Sequence, residues 1–450
     1  MRQHYEVIVI GTGAAGTTAA AICNKEGKKV AIIDERELGG TCALRGCDAK
    51  KIFTGLAELV DWNQRMSDKG IVDQAETNWE DILSFKNKMK KGFPEQKEAY
   101  FEKYGIDVYR GIASFYSEKE VKVGNAILSG DYIVIATGAK PRELPFEGAN
   151  HLITSEEFLD LEQLPEKMVF VGGGYISFEF AHITSRLGVE THIIEFQDRV
   201  LQNFEKNMVD KMLEKSAQAG IQIHLETSVE KIEEQGTQYK IIAEKDGKSF
   251  EMEAGVVVNG AGRIPNIESL NLEKGKVSYS EKGIEVNQYL QSPSNPAVYA
   301  AGDVSHTKGL PLTPVAGVEG AVVGENIIKG NSNSPDYSMI ATTLFTIPKI
   351  SAAGMSEEEA KKQGIHYEIK QKDMSDWYSY KRTNDGHAMC KVLIDPNSDL
   401  ILGVQAVGGY ADHIVNHLAL AIKHKIPVGE IQAMMYSYPS IESDLQHILK

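Results

Sequence analysis

The distribution of apolar and polar residues predicts two units of the strand–helix–strand type. Residues 6–10 (EVIVI) form a mostly apolar, β-branched run, as in a buried parallel strand. A glycine-rich turn, an alanine-rich helix and a second apolar strand that ends at Asp34 follow directly. The same order recurs over residues 168–195, where the second strand ends at Glu195. The pattern therefore predicts two βαβ units of the dinucleotide-binding type.

The remaining pattern predicts the rest of the architecture. Residues 54–103 are helical in pattern, and residues 131–137 form another apolar strand. The stretch GNSNSPD at 330–336 has the composition of a linker. Beyond it, strands and one long helix over 411–424 indicate an α+β region. We therefore predict an α/β fold with two Rossmann-like dinucleotide-binding domains and a C-terminal α+β domain.

Composition and charge exclude several classes of protein. The 450 residues are 42% apolar and 25% charged, which is typical of a soluble globular chain of about three domains. The net charge of −15 argues against broad binding to nucleic acid or to anionic membranes. No apolar run approaches the ~20 residues of a transmembrane helix, and the start of the chain lacks the layout of a signal peptide. With only four cysteines, the expectation is a cytoplasmic protein whose disulfide, if it has one, is catalytic.

The first glycine-rich turn is predicted to bind a dinucleotide. Gly11 allows a tight turn, Gly13 lets a pyrophosphate approach the backbone, and Gly16 lets the helix and the strand pack closely. The phosphate would lie at the positively polarised end of the helix. Asp34 is placed to accept hydrogen bonds from a ribose hydroxyl. The alternative is a glycine turn in a βαβ unit that binds no nucleotide.

The second turn predicts a second dinucleotide. Gly172 and Gly174 repeat the first two glycines, and Ser177 stands where a third small residue is usual. A carboxylate at Glu195 would bind both hydroxyls of an NAD ribose and repel a 2′-phosphate. Arg199 is the only cation nearby in the sequence. NADH is therefore favoured, and NADPH stays an alternative.

Two cysteines follow the first βαβ unit. Cys42 and Cys47 are separated by four residues, which can form one helical turn that brings the sulfurs within bonding distance. A helix N-terminus and nearby lysines would lower the pKa of a thiolate here. The alternatives are two free core cysteines or half of a metal site, for which no partner cysteine pair exists. No metal site is predicted, and the two nucleotides with the dithiol suggest electron transfer between carriers.

These motifs resemble the FAD-dependent pyridine nucleotide-disulfide oxidoreductases, a class that includes glutathione reductase, dihydrolipoyl dehydrogenase and mercuric reductase. The resemblance covers essentially the whole chain. The matching stretches are GTGAAG (11–16), GGTCALRGCDAKK (39–51), ATGAKPR (136–142), GGGYISFE (172–179), GRIPN (262–266), AAGDV (300–304), LTPVA (312–316) and TTLFTIPKISAAGMSEEEA (342–360). The domains that the resemblance implies are FAD-binding over 1–145 and 266–330, NAD(P)-binding over 146–265 and dimerisation over 337–450, in a homodimer.

The resemblance also implies roles for individual residues. Cys47 resembles the sulfur beside the flavin that forms the charge-transfer thiolate, and Cys42 resembles the interchange thiol that attacks the substrate. Lys50 is similar to the lysine near flavin N5, and Glu179 to its ion-pair partner.

Further cofactor contacts follow from the same motifs. Tyr175 resembles the aromatic gate of the nicotinamide pocket, Asp303 the ribitol ligand, and Thr313 the residue beside the isoalloxazine ring. The family motifs place other cofactor-binding residues at Gly40, Thr41, Lys50, Thr137, Gly138, Ile176 and Gly262.

The implied reaction carries electrons from NAD(P)H through FAD to a Cys42–Cys47 disulfide and on to a small disulfide or similar acceptor. The alternatives are reduction of a metal ion or a quinone, dihydrolipoyl dehydrogenase activity, and a non-enzymatic role as a redox-sensing flavoprotein. The intact cysteine pair argues against the last of these, because a binding role does not require it.

Tyr438 is the main departure from the family pattern. Disulfide reductases of this class usually end with His-Pro-Thr-x-x-Glu, whose histidine is the acid–base catalyst donated by the other subunit. Here Tyr438 occupies the histidine position and Ser443 the glutamate position, and no C-terminal cysteine pair of the mercuric reductase type is present. Because a phenol of pKa ~10 is a poor base near neutral pH, glutathione disulfide is expected to be reduced slowly.

Overall fold

The computed structural model describes residues 2–450 of the chain. The α-helices of this range are α1 (Ala14–Lys25), α2 (Gly40–Arg45), α3 (Cys47–Arg65), α4 (Trp79–Lys90), α5 (Phe93–Lys103), α6 (Ser155–Leu159), α7 (Tyr175–Arg186), α8 (Lys206–Gln218), α9 (Thr313–Lys329), α10 (Glu357–Gln363), α11 (Tyr378–Lys381), α12 (Ala411–His424), α13 (Val428–Ala433) and α14 (Leu445–Ile448). The β-strands are β1 (Arg2–Ile10), β2 (Val30–Asp34), β3 (Asp107–Arg110), β4 (Ala113–Ser117), β5 (Glu120–Val123), β6 (Ala126–Ile135), β7 (Ala139–Pro141), β8 (Lys167–Val171), β9 (Glu190–Ile194), β10 (Gln222–His224), β11 (Thr227–Gln235), β12 (Gln238–Lys245), β13 (Lys248–Ala254), β14 (Val256–Asn259), β15 (Arg263–Pro265), β16 (Tyr279–Ser280), β17 (Gly283–Glu285), β18 (Val298–Ala300), β19 (Ser305–His306), β20 (Ala341–Leu344), β21 (Lys349–Gly354), β22 (Glu368–Asp373), β23 (Met389–Asp395) and β24 (Leu400–Gly408).

The chain folds into two compact units, and each unit is assembled from separate stretches of sequence. The first unit comprises the residues up to Lys50, Phe85–Arg142 and Arg263–Tyr337. The second comprises Lys51–Ser84, Glu143–Gly262 and Ser338–Lys450. The finer domain boundaries proposed from the sequence stay a prediction.

The first unit is built on a largely parallel sheet with the strand order β3-β2-β1-β6-β5-β4, and β18 also pairs with β6. β1 is parallel to both β2 and β6. Its apolar run is buried on both faces, because Ile8 belongs to one core cluster and Val9 to another. Gly11 ends this strand at a φ of +108°, and a Cβ at Gly16 would lie 2.0 Å from the Gly11 carbonyl oxygen. The first βαβ unit therefore forms as predicted, and only glycine fits at these two positions of its turn.

The second unit contains a parallel sheet with the order β10-β9-β8-β14 and the antiparallel sheets β11-β12-β13 and β20-β21-β24-β23-β22. The turn after β8 begins at Gly172, which has a φ of +103°. Ser177 is accommodated in the following helix because residue 260 is a glycine, whose Cβ would lie 1.9 Å from the Ser177 hydroxyl oxygen. Gly260, the residue directly after β14, thus provides the space that the Ser177 side chain occupies.

Candidate active site

The carboxylate of Asp34 is bound to the glycine-rich turn of the first unit. Its Oδ2 atom accepts hydrogen bonds from the Thr12 amide at 2.9 Å and from the Thr12 hydroxyl at 2.6 Å. Its Oδ1 atom accepts from the Arg36 amide at 3.0 Å. A carboxylate offers about four lone-pair sites, and the three hydrogen bonds leave one of them for a ribose hydroxyl.

The turn itself fits a dinucleotide pyrophosphate. α1 begins after Gly13, which supplies no side-chain cap, so the first amides of the helix are available to an anion. Apart from its chain neighbours, no atom of residues 2–450 lies within 4 Å of the position that a Gly13 Cβ would take. On the other side, a Cβ at Gly40 would lie 2.6 Å from the Gly13 Cα. The start of α2, the helix that carries Cys42, is therefore packed directly on the phosphate-binding turn.

Cys42 and Cys47 lie on two successive helices rather than on one. α2 ends at Arg45, Gly46 follows with φ −147° and ψ −122°, and Cys47 begins α3. Both residues are thiols, and Cys47 is the more exposed of the two. The break at Gly46 lets the two side chains meet, since a hydrogen bond links them.

The pKa of Cys42 departs from the prediction made from sequence. The hydrogen bond to Cys47 and the burial of the side chain raise this pKa well above the ordinary thiol value, while a hydrogen bond with the Thr313 hydroxyl opposes the shift. The expectation that the local field lowers the thiolate pKa is therefore wrong for Cys42 in the reduced pair. The sulfur of Cys47 keeps the proton on Cys42, and exchange chemistry requires a group that removes it.

Two residues predicted to contact the flavin, Asp303 and Thr313, lie in the first unit. Asp303 follows β18, and burial raises the pKa of its carboxyl although Arg263 partly offsets the effect. Thr313 opens α9, whose N-terminus carries no side-chain cap. Thr137 donates from its hydroxyl to the Asn266 carbonyl at 2.7 Å. The predicted site residues that fall in the first unit are Gly11, Gly13, Gly16, Asp34, Gly40, Thr41, Cys42, Cys47, Lys50, Thr137, Gly138, Asp303 and Thr313.

Glu195 repeats in the second unit the contact that Asp34 makes in the first. Its Oε2 atom accepts from the Gly173 amide at 2.5 Å, and its Oε1 atom from the Gln197 amide at 2.9 Å. In both units the acid lies 22 residues after the residue whose turn amide it binds. The guanidinium of Arg199, the cation expected near this site, donates to the Phe204 carbonyl instead.

α7 carries Tyr175 and Glu179, two further residues with predicted roles. The hydroxyl of Tyr175 lies 3.3 Å from the Thr342 hydroxyl, and its ring lies 5.6 Å from the ring of Phe204. Glu179 is buried and accepts a hydrogen bond from the Phe345 amide at 2.9 Å. The predicted site residues of the second unit are Gly172, Gly174, Tyr175, Ile176, Glu179, Glu195, Gly262 and Tyr438. Since Lys50 belongs to the first unit and Glu179 to the second, their predicted ion pair stays a prediction.

The C-terminal segment offers a phenol in place of an imidazole. Tyr438 is 82% exposed. Ser443, at the family's glutamate position, is buried and donates to the Ser440 carbonyl at 2.6 Å. The neighbouring Glu442 faces His413, with 3.7 Å between Oε1 and Nδ1.

Two buried charge clusters were missed by the sequence reasoning. Asp61 binds Arg186 at 3.1 Å and Arg65 at 2.7 Å. Burial alone would raise the pKa of Asp61, but Arg186, Lys215 and Arg65 outweigh it and lower the pKa. The second cluster surrounds Glu319, and its sequence signal is an acid flanked by apolar and glycine residues in the first half of α9.

The remaining cysteines are structural. Cys23 and Cys390 are fully buried, and burial raises the pKa of each thiol to about 12. Among residues 2–450, no three His, Cys, Asp or Glu side chains are arranged to hold a metal ion. Over the same part of the chain, no helix combines the length and apolarity that crossing a membrane requires.

Comparison with known proteins places these features in one family. A family described as "Pyridine nucleotide-disulphide oxidoreductase" matches residues 5–320, and its dimerisation domain matches residues 340–448. A stretch of 180 residues is 49% identical to an uncharacterized 19.7 kDa protein in the mercuric resistance operon of Staphylococcus aureus, and it covers 40% of this chain and 100% of that protein. A glutathione reductase from Burkholderia cepacia is 29% identical over 98% of both chains. The HOCl-induced flavoprotein disulfide reductase RclA from Escherichia coli has the same fold, with a TM-score of 0.88 at 23% identity over 99% of both chains.

These matches confirm several predictions made from the sequence. They confirm the resemblance, the α/β fold with a C-terminal dimerisation domain, and the class of enzyme, an NAD(P)H-dependent flavoprotein disulfide oxidoreductase. They also confirm the cofactors, because the family uses FAD and NAD(P)H.

Proposed function

The chain belongs to the pyridine nucleotide-disulphide oxidoreductase family, and from this membership we propose an NADH-dependent, FAD-containing homodimer that reduces a small disulfide or a related two-electron acceptor. The observation that carries the proposal is the packing of α2 on the predicted phosphate-binding turn, where a Cβ at Gly40 would lie 2.6 Å from the Gly13 Cα. This contact puts the helix of Cys42 beside the dinucleotide site in one unit. A dithiol beside a dinucleotide turn is suited to electron transfer.

The chain's own residues then carry out the exchange chemistry. A bound FAD would supply the two-electron chemistry that links NADH to reduction of the Cys42–Cys47 disulfide. The Cys42 thiolate attacks one sulfur of the acceptor disulfide, forms a mixed disulfide and expels the first thiol. The Cys47 thiolate next attacks the Cys42 sulfur, releases the second thiol and closes the Cys42–Cys47 disulfide. One acceptor disulfide is thereby reduced to two thiols for each NADH oxidised and each proton taken up from solvent.

Glu195 supports NADH as the electron donor. Its carboxylate is fixed by two amides at the end of β9, where a 2′-phosphate would meet a negative charge. Arg199, which could have neutralised that charge, donates to Phe204.

The oligomeric state and the location are part of the proposal. The dimerisation domain supports a homodimer, in which Tyr438 of one subunit would face the cysteines of the other. The low count of four cysteines supports a cytoplasmic location.

An anaerobic titration followed by an acceptor assay tests the proposal. Addition of NADH to the FAD-loaded enzyme is expected to expose two thiols per subunit, and a small disulfide is expected to consume them again. Glutathione disulfide, lipoamide and coenzyme A disulfide are then compared under steady-state conditions. Bleaching of the flavin without the appearance of thiols would contradict the proposed path through Cys42 and Cys47.

A soft metal ion is the second candidate acceptor. Its specific support is the relative from a mercuric resistance operon, which is 49% identical over 180 residues. Two adjacent thiolates bind soft cations well. NADH oxidation driven by mercuric or cupric ions, but by none of the disulfides, would favour this candidate.

A further inference from the structure

Glu319 is one of two acids in the largely apolar helix α9 and is only 1% exposed. Its Oε2 atom accepts hydrogen bonds from the Gly302 amide at 2.6 Å and from the Ser305 hydroxyl at 3.4 Å. Its Oε1 atom accepts from the hydroxyls of Thr307 at 2.9 Å and Tyr337 at 2.5 Å. Burial of a carboxylate is unfavourable unless such donors compensate it. Four donors converge here, and three of them lie in residues 302–307, the segment that follows β18 and includes β19.

Gly302, whose backbone amide donates to Glu319 at 2.6 Å, lies where two helices meet. A Cβ at Gly302, which has a φ of +79°, would lie 3.4 Å from the Cβ atoms of both Ala15 and Ala316. Ala15 belongs to the first turn of α1, and Ala316 to the first turn of α9. Next to Glu319, a Cβ at Gly320 would lie 2.3 Å from the Ala15 carbonyl oxygen. The carboxylate therefore lies at the crossing of α1, α9 and the turn that carries Asp303.

These three segments supply the proposed contacts to FAD. α1 would hold the pyrophosphate, Asp303 the ribitol, and Thr313 at the start of α9 the isoalloxazine ring. We propose that Glu319 is a positioning residue for FAD. Its carboxylate fixes the Gly302 amide and so holds Asp303 in one position relative to the N-termini of α1 and α9. This inference rests on the proposed function, because it takes these three contacts as given.

The test measures binding of FAD to the full-length apoprotein. Glu319→Gln replaces one accepting oxygen by an NH2 group, so the four donors can no longer all be satisfied. Because hydrogen bonds to charged groups are the strong ones, we expect the Kd for FAD to rise about tenfold or more. The visible spectrum of the bound flavin should shift, since a displaced ribitol would change the position of the ring relative to Thr313. A Kd within twofold of the wild type would overturn the inference.

Two further variants separate positioning from simple packing. Tyr337→Phe removes one donor from Oε1 but leaves the bond to Gly302, so it should lower the Tm and leave the Kd and the spectrum unchanged. An equal loss of FAD affinity in Tyr337→Phe and Glu319→Gln would overturn the positioning role. Glu325→Gln is the matched control on α9, because Glu325 accepts from Asn333 at the surface, and it should behave as wild type. If Glu319→Gln does not fold, Glu319→Asp is measured instead, and a Kd within twofold would equally overturn the inference.

Asp303→Ala distinguishes failure of this inference from failure of the proposed FAD site. If Asp303→Ala weakens FAD binding and the Glu319 variants do not, only the positioning role is wrong. If Asp303→Ala leaves the Kd unchanged, the proposed ribitol contact fails, and the inference that depends on it fails as well.

Discussion

Cys42 holds its proton tightly in the reduced pair, because the neighbouring sulfur accepts a hydrogen bond and the side chain is partly buried. The thiolate, not the thiol, attacks a disulfide. The rate of acceptor reduction therefore depends on how quickly a base removes this proton. At the scale of the residue, Cys42 and Tyr438 are the two positions at which the proposed reaction can be tested most directly.

Cys42→Ser is expected to abolish reduction of any disulfide acceptor, because serine cannot form the mixed disulfide. FAD binding should be retained, since Cys42 is assigned to exchange and not to the cofactor. Steady-state NADH oxidation with a disulfide acceptor and the visible spectrum of the protein measure the two effects. Cys390→Ala, at a buried thiol of β23, is the control and should turn over normally. Retained disulfide turnover in Cys42→Ser would refute the assignment.

Tyr438→His should accelerate the step in which the acceptor is reduced. An imidazole can take the proton that Cys42 holds, and general base catalysis contributes typically ~10²–10⁴-fold. Stopped-flow mixing of the pre-reduced enzyme with glutathione disulfide isolates this step from hydride transfer, which should not change. Tyr378→His, at another exposed tyrosine of the second unit, provides the control. Fast reduction of glutathione disulfide by the wild type would mean that another residue already supplies the base.

At the scale of the element, both βαβ units have the same contact between an acid and the glycine-rich turn. In each unit a carboxylate at the end of the second strand binds an amide of the glycine turn at the end of the first. This hydrogen bond fixes the turn and orients the acid. A bound nucleotide would therefore contact the turn and the acid in one defined arrangement. A substitution of the acid should therefore affect nucleotide binding more than it affects the fold of the sheet.

Glu195→Gln should raise the KM for NADH and reduce the discrimination against NADPH, because it removes the charge while keeping the size of the side chain. The ratio of kcat/KM for the two nucleotides measures this effect. Glu190→Gln is the matched control, since Glu190 lies on the same strand but pairs with Lys167 and His192. A wild type that already prefers NADPH would contradict the interpretation of this strand end.

Contiguous features of this kind could be predicted from the sequence, because strand, turn, helix and acid follow one another along the chain. The contacts of Arg186 could not, since Asp61 lies 125 residues away and the Ile347 carbonyl 161 residues away. The thiol pKa of Cys42 was wrongly predicted for a similar reason. The local field of lysines and helix ends is visible in the sequence, whereas burial and the hydrogen bond to Cys47 depend on the folded break at Gly46.

At the scale of the whole molecule, histidines make the stability of the fold depend on pH. Burial lowers the pKa of His182, His224 and His387, and most strongly that of His182. In the unfolded chain each takes up a proton as the pH falls through ~6.5. Because the unfolded state then binds more protons, stability falls as the pH drops below this value. The ion pairs of Glu357, whose pKa is lowered to about 2 by Lys361 and Lys391, are lost only below the ordinary glutamate range.

His182→Gln should consequently lower the Tm at pH 7.5 but make the Tm less sensitive to pH between about 6.5 and 5. The substitution removes the group that stays neutral in the fold and becomes charged on unfolding. Thermal unfolding at a series of pH values measures the slope. His366→Gln, at an exposed histidine, should leave the slope as in the wild type. An unchanged slope in His182→Gln would mean that other groups dominate the acid sensitivity.

The burial of Cys23 and Cys390 has a consequence for how the protein can be observed. Both thiols are inaccessible and their pKa values are raised to about 12, so an alkylating reagent encounters only Cys42 and Cys47 in the native chain. Prolonged treatment of the native protein with iodoacetamide at alkaline pH, which ionises Cys42, should add two labels to each reduced subunit and none to each oxidised subunit. Intact-mass spectrometry distinguishes the two forms without any mutation. The mass distribution of the native protein, isolated directly from cells under oxidative stress, would then give the fractions of reduced and oxidised subunits.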